Sequence, residues 1–305
     1  MSRTAVIIGN FDGVHRGHEA LVCEALRRVG EAGRVIALTF DPLPGHLFRP
    51  LEHPRRLCTS VRRTELLKQC GVHEVVEKQI DREWLNQSPG EFIQNHILPL
   101  GPDMVVEGPD FRFGRDRAGD LEVLAQFGRD QPPEHRFDVH VLPPQRASLC
   151  NLEAVPARSS TVRWLLDRGR VRDAGHVLGR PYLIEGSVIT GDQRGRTIGC
   201  PTANLDHGDL LLPADGVYAG FARTPHGQFS AAISIGTKPT FNQTPRVLEA
   251  HLIDWDGPSD DYGWHLEVEL HRWVRDQVAF DSVDALKSQI DLDIAAARGL
   301  AVPGS

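Results

Sequence analysis

The periodicity of this chain changes once, near residue 180, and that change limits the folds open to it. Before it, short β-rich runs alternate with stretches of helical spacing. Ala5–Gly9 reads as a buried strand, Glu19–Val29 as a helix with Ala20, Leu21, Ala25 and Leu26 at helical spacing, and Arg34–Phe40 as the next strand. Ser60 is placed to cap a helix carrying Leu66 and Leu67, and His73–Val76 and Met104–Val106 supply further strands. Ser88–Pro89–Gly90–Glu91 has the proline and the first-turn glutamate of a helix start. Such alternation implies a parallel sheet with helices on both faces.

Beyond Leu178–Gly179–Arg180–Pro181 the helical spacing disappears, and short strands separated by glycine- or proline-rich turns take over. The candidates are Tyr182–Ile189, Gly216–Phe221, Phe229–Ile235, Val247–Ile253 and Leu266–Trp273, a set that predicts a small antiparallel barrel or sandwich. A last helix should follow, capped by Asp281 or Ser282, with Val283, Leu286, Ile290 and Ile294 on one face. A chain of 305 residues exceeds the usual size of one domain, and the change of pattern predicts domains at 1–178 and 179–305.

Composition excludes several classes. The net charge of −7 argues against a broad nucleic-acid or anionic-membrane surface while leaving room for a small basic pocket. No apolar run is long enough to cross a bilayer. Cys23, Cys58, Cys70, Cys150 and Cys200 are scattered and odd in number, which suits reduced thiols in the cytoplasm better than a disulfide framework. The expectation is a soluble cytoplasmic enzyme with no nucleic-acid or membrane partner; the sequence leaves its oligomeric state open.

The densest chemistry lies where the first strand runs into Asn10–Phe11–Asp12–Gly13–Val14–His15–Arg16–Gly17–His18. A glycine-bearing turn between a parallel strand and a helix sets free N–H groups beside the positive end of the helix dipole, which favours phosphate. Neither a P-loop nor a dinucleotide fingerprint is present. His15 and His18 can donate hydrogen bonds to charge building on a phosphate, and Gly17 allows close approach. Metal binding is the rival reading, but no third ligand lies at suitable spacing.

A second segment, Gly191–Asp192–Gln193–Arg194–Gly195–Arg196, can wrap phosphates with glycine and arginine. Thr202 and Asn204, two apart in an extended stretch, offer hard oxygen ligands of the kind Mg²⁺ takes. In Val247–Ile253 the alternation sets Glu249 and His251 opposite Leu248, Ala250 and Leu252. Taken alone, these patterns favour a structural hairpin and a solvated strand face.

Assembled, the motifs resemble those of the prokaryotic bifunctional riboflavin kinase/FMN adenylyltransferases. The resemblance rests on Gly9–His18, Thr39–Phe40–Asp41–Pro42, Gly108–Gly114 and Ser159–Arg163 in the first part. In the second it rests on Pro201–Asn204, Pro213–Ala219, Ile235–Phe241, Glu249 and Tyr262–Gly263. It implies an N-terminal Rossmann-like nucleotidyltransferase domain with a parallel sheet, and a C-terminal antiparallel flavokinase barrel with a terminal helix. It further implies that Gly9, Asn10, Phe11, Asp12 and Gly17 with His15, His18, Ser159, Ser160 and Arg163 hold ATP, and that Asp110 contacts flavin or nucleotide. Gly191, Arg194, Gly195, Thr202 and Asn204 would hold ATP in the kinase, Thr202 and Asn204 also the Mg²⁺, with Glu249 as base on the ribityl hydroxyl. The substrates so implied are riboflavin, FMN and ATP; the flavin itself comes wholly from the resemblance.

Three positions depart from the family pattern. Leu43 stands where a histidine usually lies between two prolines, Arg158 replaces the first serine of the Ser-Ser-Thr-x-x-Arg motif, and Cys200 replaces a phenylalanine. Two further readings therefore stay open: a riboflavin kinase whose first domain is a degenerate or regulatory nucleotide binder, and a nucleotidyltransferase for another substrate with the barrel holding that substrate.

Overall fold

The computed structural model describes residues 2–48, 54–191, 199–237, 246–257 and 261–300. The chain forms two compact units. Met1–Pro54, Thr59–Ala147 and Pro156–Arg158 make the first; Arg55–Cys58, Ser148–Val155 and Ser159–Ser305 make the second.

The first unit is built on five strands: β1 (Thr4–Ile8), β2 (Arg34–Asp41), β3 (Glu74–Gln79), β4 (Met104–Glu107) and β5 (Asp138–Val141). They pair in parallel in the order β3-β2-β1-β4-β5. Every side chain of β1 is buried, and alternate residues enter opposite layers. Ala5 and Ile7 pack with Leu21, Val22 and Ala25 of the helix Arg16–Val29 and with Leu66 and Leu67 of the helix Ser60–Gln69. Val6 and Ile8 pack with Phe92, Ile93, Ile97 and Leu124 on the other face. Chain order reverses between β1 and β4, and in open α/β sheets the crevice beyond the strand ends at that point takes the ligand.

Local signals explain most element ends. Ser88 caps its helix through a capping box: its Oγ accepts the Glu91 N–H at 3.3 Å, and the Glu91 carboxylate accepts the Ser88 N–H at 2.8 Å. Thr59, and not Ser60, is the cap of the helix Ser60–Gln69, its hydroxyl accepting from Arg62 N–H at 3.1 Å. The first helix begins at Arg16, ahead of the expected Glu19, because Gly17 and His18 join it although neither is apolar.

β6 (Arg146–Ser148) and β7 (Ala154–Pro156) form a two-stranded sheet. The second unit then carries the helices Ser159–Leu166 and Val171–Leu178 and a closed barrel. Its strands are β8 (Tyr182–Ile189), β9 (Ala203–Asp206), β10 (Gly216–Thr224), β11 (Gly227–Thr237), β12 (Arg246–Leu252) and β13 (His265–Arg275). They pair antiparallel in the closed order β10-β11-β12-β9-β8-β13. The short β9 was expected only as an extended stretch; its pairing with β12 and β8 makes it a full member.

Ser282 caps the terminal helix Val283–Arg298, accepting from Ala285 N–H at 3.2 Å. Its buried side is displaced toward its C-terminus. Val283, expected inward, is 56% exposed, whereas Ala297 is buried and Ile294 packs with it against Ala219 and Ile253. Asp293 is buried too, because Arg275 of β13 clasps it at 2.7 Å.

Candidate active sites

The turn after β1 is backbone-built. Phe11, Gly13 and Val14 have φ of 45°, 81° and 38°, and Val14 N–H donates to Phe11 O at 3.1 Å. A positive φ is a strained conformation for phenylalanine and valine, persisting only where the surroundings fix it. Both side chains are buried in the first core layer, which provides that constraint. His15 then stays extended, so its carbonyl accepts from His18 N–H and Glu19 N–H at 2.8 and 3.0 Å and opens the helix. The His15 and His18 rings stack at 3.7 Å, and Phe11 meets His18 edge-on at 5.1 Å. A Cβ at Gly17 would lie 2.5 Å from Ala157 O, so no side chain fits there.

Two buried charged residues hold this turn, and neither was marked by motif or spacing. Arg63, 3% exposed, donates to Asn10 O and Phe40 O at 3.1 and 3.0 Å and to the Glu77 carboxylate at 2.6 Å. Glu107, 4% exposed at the end of β4, accepts the Ile8 N–H at 2.5 Å. Burial drives its carboxyl well above the usual carboxylate range, although the Ile8 and Gly108 N–H groups pull the other way.

Two cavities meet at the turn. The larger, about 740 Å³, is walled by Phe40, Trp84, Phe92, Phe111 and Phe113 and reaches Gly9 and Asn10. The smaller, about 200 Å³, is lined by Gly9, Phe11, Gly17, His18, Gly108 and Arg158 among others. Ile8, Gly9, Asp110 and Phe111 line both. The aromatic wall is closely organised: Phe111 and Phe113 stack at 5.3 Å, Trp84 lies 5.0 Å from Phe40 and 5.6 Å edge-on to Phe92. A volume of that size with aromatic walls suits a planar polycyclic ligand. Of the expected residues, Gly9, Asn10, Phe11, Gly17, His18 and Asp110 line one or both cavities, while Asp12 and His15 are buried behind them in the same turn. Leu43 is 2% exposed.

Ser159, Ser160 and Arg163 belong to the second unit, at the start of the helix Ser159–Leu166. Ser160 is exposed, Ser159 half-buried, and the Arg163 Nε–H donates to Arg55 O at 3.3 Å.

On the barrel the strand register does the assembling. Glu249 of β12 pairs directly with Asn204 of β9, and the Thr202 hydroxyl donates to the Glu249 carboxylate at 3.5 Å. A Cβ at Gly191 would stand 2.1 Å from Asn204 Nδ2, so the start of the β8–β9 connection lies against the asparagine. Gly191, Thr202, Asn204 and Glu249 thus share one site; Arg194 and Gly195 lie outside the described residues. His251 is turned to the neighbouring loop, its Nδ1 at 2.8 Å from Pro201 O. Arg246 fastens the Pro213–Ala214–Asp215 turn, donating to Asp215 Oδ1 at 2.7 Å and to Pro213 O.

Family models describe the two halves separately: FAD synthetase matches residues 1–148 and riboflavin kinase residues 178–301. Across the chain, a protein of Escherichia coli K12 described as a bifunctional riboflavin kinase/FMN adenylyltransferase is 36% identical over 301 residues, covering 95% of this chain and 90% of its own. The chain belongs to the bifunctional riboflavin kinase/FMN adenylyltransferase family. A second family member, from Pseudomonas fluorescens, is 34% identical, with 98% and 93% covered. A solved structure described as a macrolide-efflux protein from Streptococcus pneumoniae superposes at a TM-score of 0.85 with 28% identity, covering 98% of this chain and 95% of that one. No helix among the described residues of this family member is long and apolar enough to cross a membrane.

Proposed function

We propose that this protein makes FAD from riboflavin in two steps, with residues 179–305 phosphorylating riboflavin and residues 1–178 adenylylating the FMN that results. The two separate phosphate-type sites carry this reading, because each transfer needs its own alignment of nucleophile and phosphorus. A degenerate first domain is less favoured, since its strained turn and paired cavities are intact.

In the barrel, the ribityl 5′-hydroxyl oxygen attacks the γ-phosphorus of ATP, its proton passes to the Glu249 carboxylate, and ADP leaves. Thr202, Asn204 and Glu249 present an all-oxygen donor set in a cradle that a Cβ at Gly191 would fill, which fits Mg²⁺. Thr202 and Asn204 would hold that ion, and when bound it balances charge on the phosphates.

In the first unit, ATP would lie in the smaller cavity and the flavin in the larger, with the junction near Gly9 and Asp110. A phosphate oxygen of FMN attacks the α-phosphorus and pyrophosphate leaves, so no base is required. His15, His18 and the turn N–H groups stabilise the charge that gathers at the α-phosphate. The reaction would take place in the cytoplasm, where reduced cysteines fit.

Incubating the full chain with FMN, ATP and Mg²⁺, and separating products, tests the assignment. FAD with equimolar pyrophosphate is expected. Its absence, while riboflavin is still phosphorylated, would leave the kinase alone.

A further inference from the structure

The smaller cavity presents an electrostatic problem that one residue solves. A polyphosphate with several negative charges must enter a space whose lining includes two acids, Glu107 and Asp110. Glu107 is buried, with its carboxyl held toward the neutral form, so Asp110 is the repulsive charge. Among the lining residues only Arg158 carries a permanent positive charge. Its Nη2 donates to Asp110 Oδ2 at 2.6 Å. The pair is open to solvent, with the side chains 52% and 72% exposed, so it adds little to stability.

Building on the two-cavity reading above, we propose that Arg158 is a substrate-binding residue for the ATP polyphosphate, and that Asp110 is the positioning residue that aims it. Asp110 lines both cavities, so its carboxylate fixes the guanidinium at the lip where the two phosphates meet. The planar fork has donors left for phosphate oxygens after one N–H engages Asp110. Anchoring also lowers the rotamer entropy that a half-exposed arginine loses when it binds. The residue that departs from the family's serine thereby becomes the cation of this cavity.

The test uses the full-length enzyme and initial rates of FAD formation from supplied FMN at varied ATP. Arg158→Ala is expected to raise the KM for ATP about tenfold, the worth of one charge-assisted hydrogen bond. The KM for FMN should stay within about twofold, and added salt should weaken ATP binding less steeply than in the parent. Arg158→Lys should recover part of the loss. Asp110→Asn should raise the KM for ATP in the parent but not in Arg158→Ala, where removing the unpaired carboxylate relieves repulsion instead, the non-additivity of a coupled pair. An unchanged KM for ATP in Arg158→Ala, or a rise confined to the KM for FMN, would overturn the proposal while leaving the two-step reading intact. Should the parent form no FAD, calorimetric titration with ATP and Mg²⁺ in an Asn204→Ala background still decides it: binding about tenfold weaker on adding Arg158→Ala supports the role, and equal binding refutes it.

Discussion

The backbone N–H of Ile8 donates to the side chain of Glu107, where a parallel ladder would have used a carbonyl of β4. β1 keeps its register with β2 through Ile8, but the register with β4 ends at Val6 and Val105. At the opposite end of β1, Thr4 N–H donates to Asp103 Oδ2 at 2.6 Å. Carboxyl groups therefore clip both ends of the β1–β4 contact, and the Glu107 clip lines the smaller cavity.

Glu107 titrates accordingly. Its folded-state pKa lies above the unfolded one, so the folded protein binds more protons between the two values. Stability is then full below the unfolded carboxyl pKa and declines as pH rises toward the folded one, at up to about 1.4 kcal/mol per pH unit for one proton. Glu107→Gln keeps an acceptor for Ile8 and removes the titration. Thermal unfolding from pH 5 to 8 should show a flatter slope in the variant; parallel slopes would refute the assignment.

Arg63 joins three segments: the turn at Asn10, the end of β2 at Phe40, and β3 at Glu77. Arg63→Ala should cost about 3 kcal/mol, because it strands the Glu77 carboxylate and two carbonyls. Arg63→Lys should recover little, since an ammonium cannot span the fork. Denaturant unfolding measures both, and the variants should lose FAD formation more than riboflavin phosphorylation.

How far such residues can be read from sequence depends on how local their signal is. Strands β1, β2 and β4 are short apolar runs, and Tyr182–Ile189 coincides with β8, whereas β5, Asp-Val-His-Val, carries no such run. Capping is local as well, so Ser88 and Ser282 were legible. Arg63 shares a helix face with Leu66 and Leu67, yet a lone arginine on an apolar face carries no sign of its partners. Asp293 broke the expected face of the last helix because Arg275, on another element, determines its burial. The aromatic cavity draws Phe40, Trp84, Phe92 and Phe111 from four segments, and no spacing rule links them. Conversely, Thr202, Asn204 and Glu249 were legible as types, but only the β9–β12 register makes them neighbours.

The proposed flavin wall can be tested by its rings. Trp84→Ala and Phe111→Ala each remove one aromatic face from the larger cavity. Each should raise the KM for FMN in FAD formation about tenfold, near the upper worth of an aromatic stack. The KM for ATP should not follow in Trp84→Ala, whose ring lines the larger cavity and not the smaller. Quenching of flavin fluorescence, with Trp84→Phe as the conservative control, reads the loss directly.

The barrel site offers a cleaner separation, because two different substitutions strike it by different physical routes. Glu249→Ala removes the carboxylate that accepts from Thr202 on the residue in register with Asn204, and should abolish FMN formation while FAD formation from supplied FMN continues. Gly191→Ala deletes no donor but introduces a Cβ 2.1 Å from Asn204 Nδ2. That contact is too short for any side chain to tolerate, so Asn204, only 9% exposed, must leave its position. Riboflavin phosphorylation should fall at least about tenfold, with the loss shared between kcat and the KM for ATP, as expected when a ligand-holding residue is displaced. The unfolding midpoint of the barrel should drop far less than the activity. Full kinase activity in Gly191→Ala would show that Asn204 can move without consequence, and would remove it from the site.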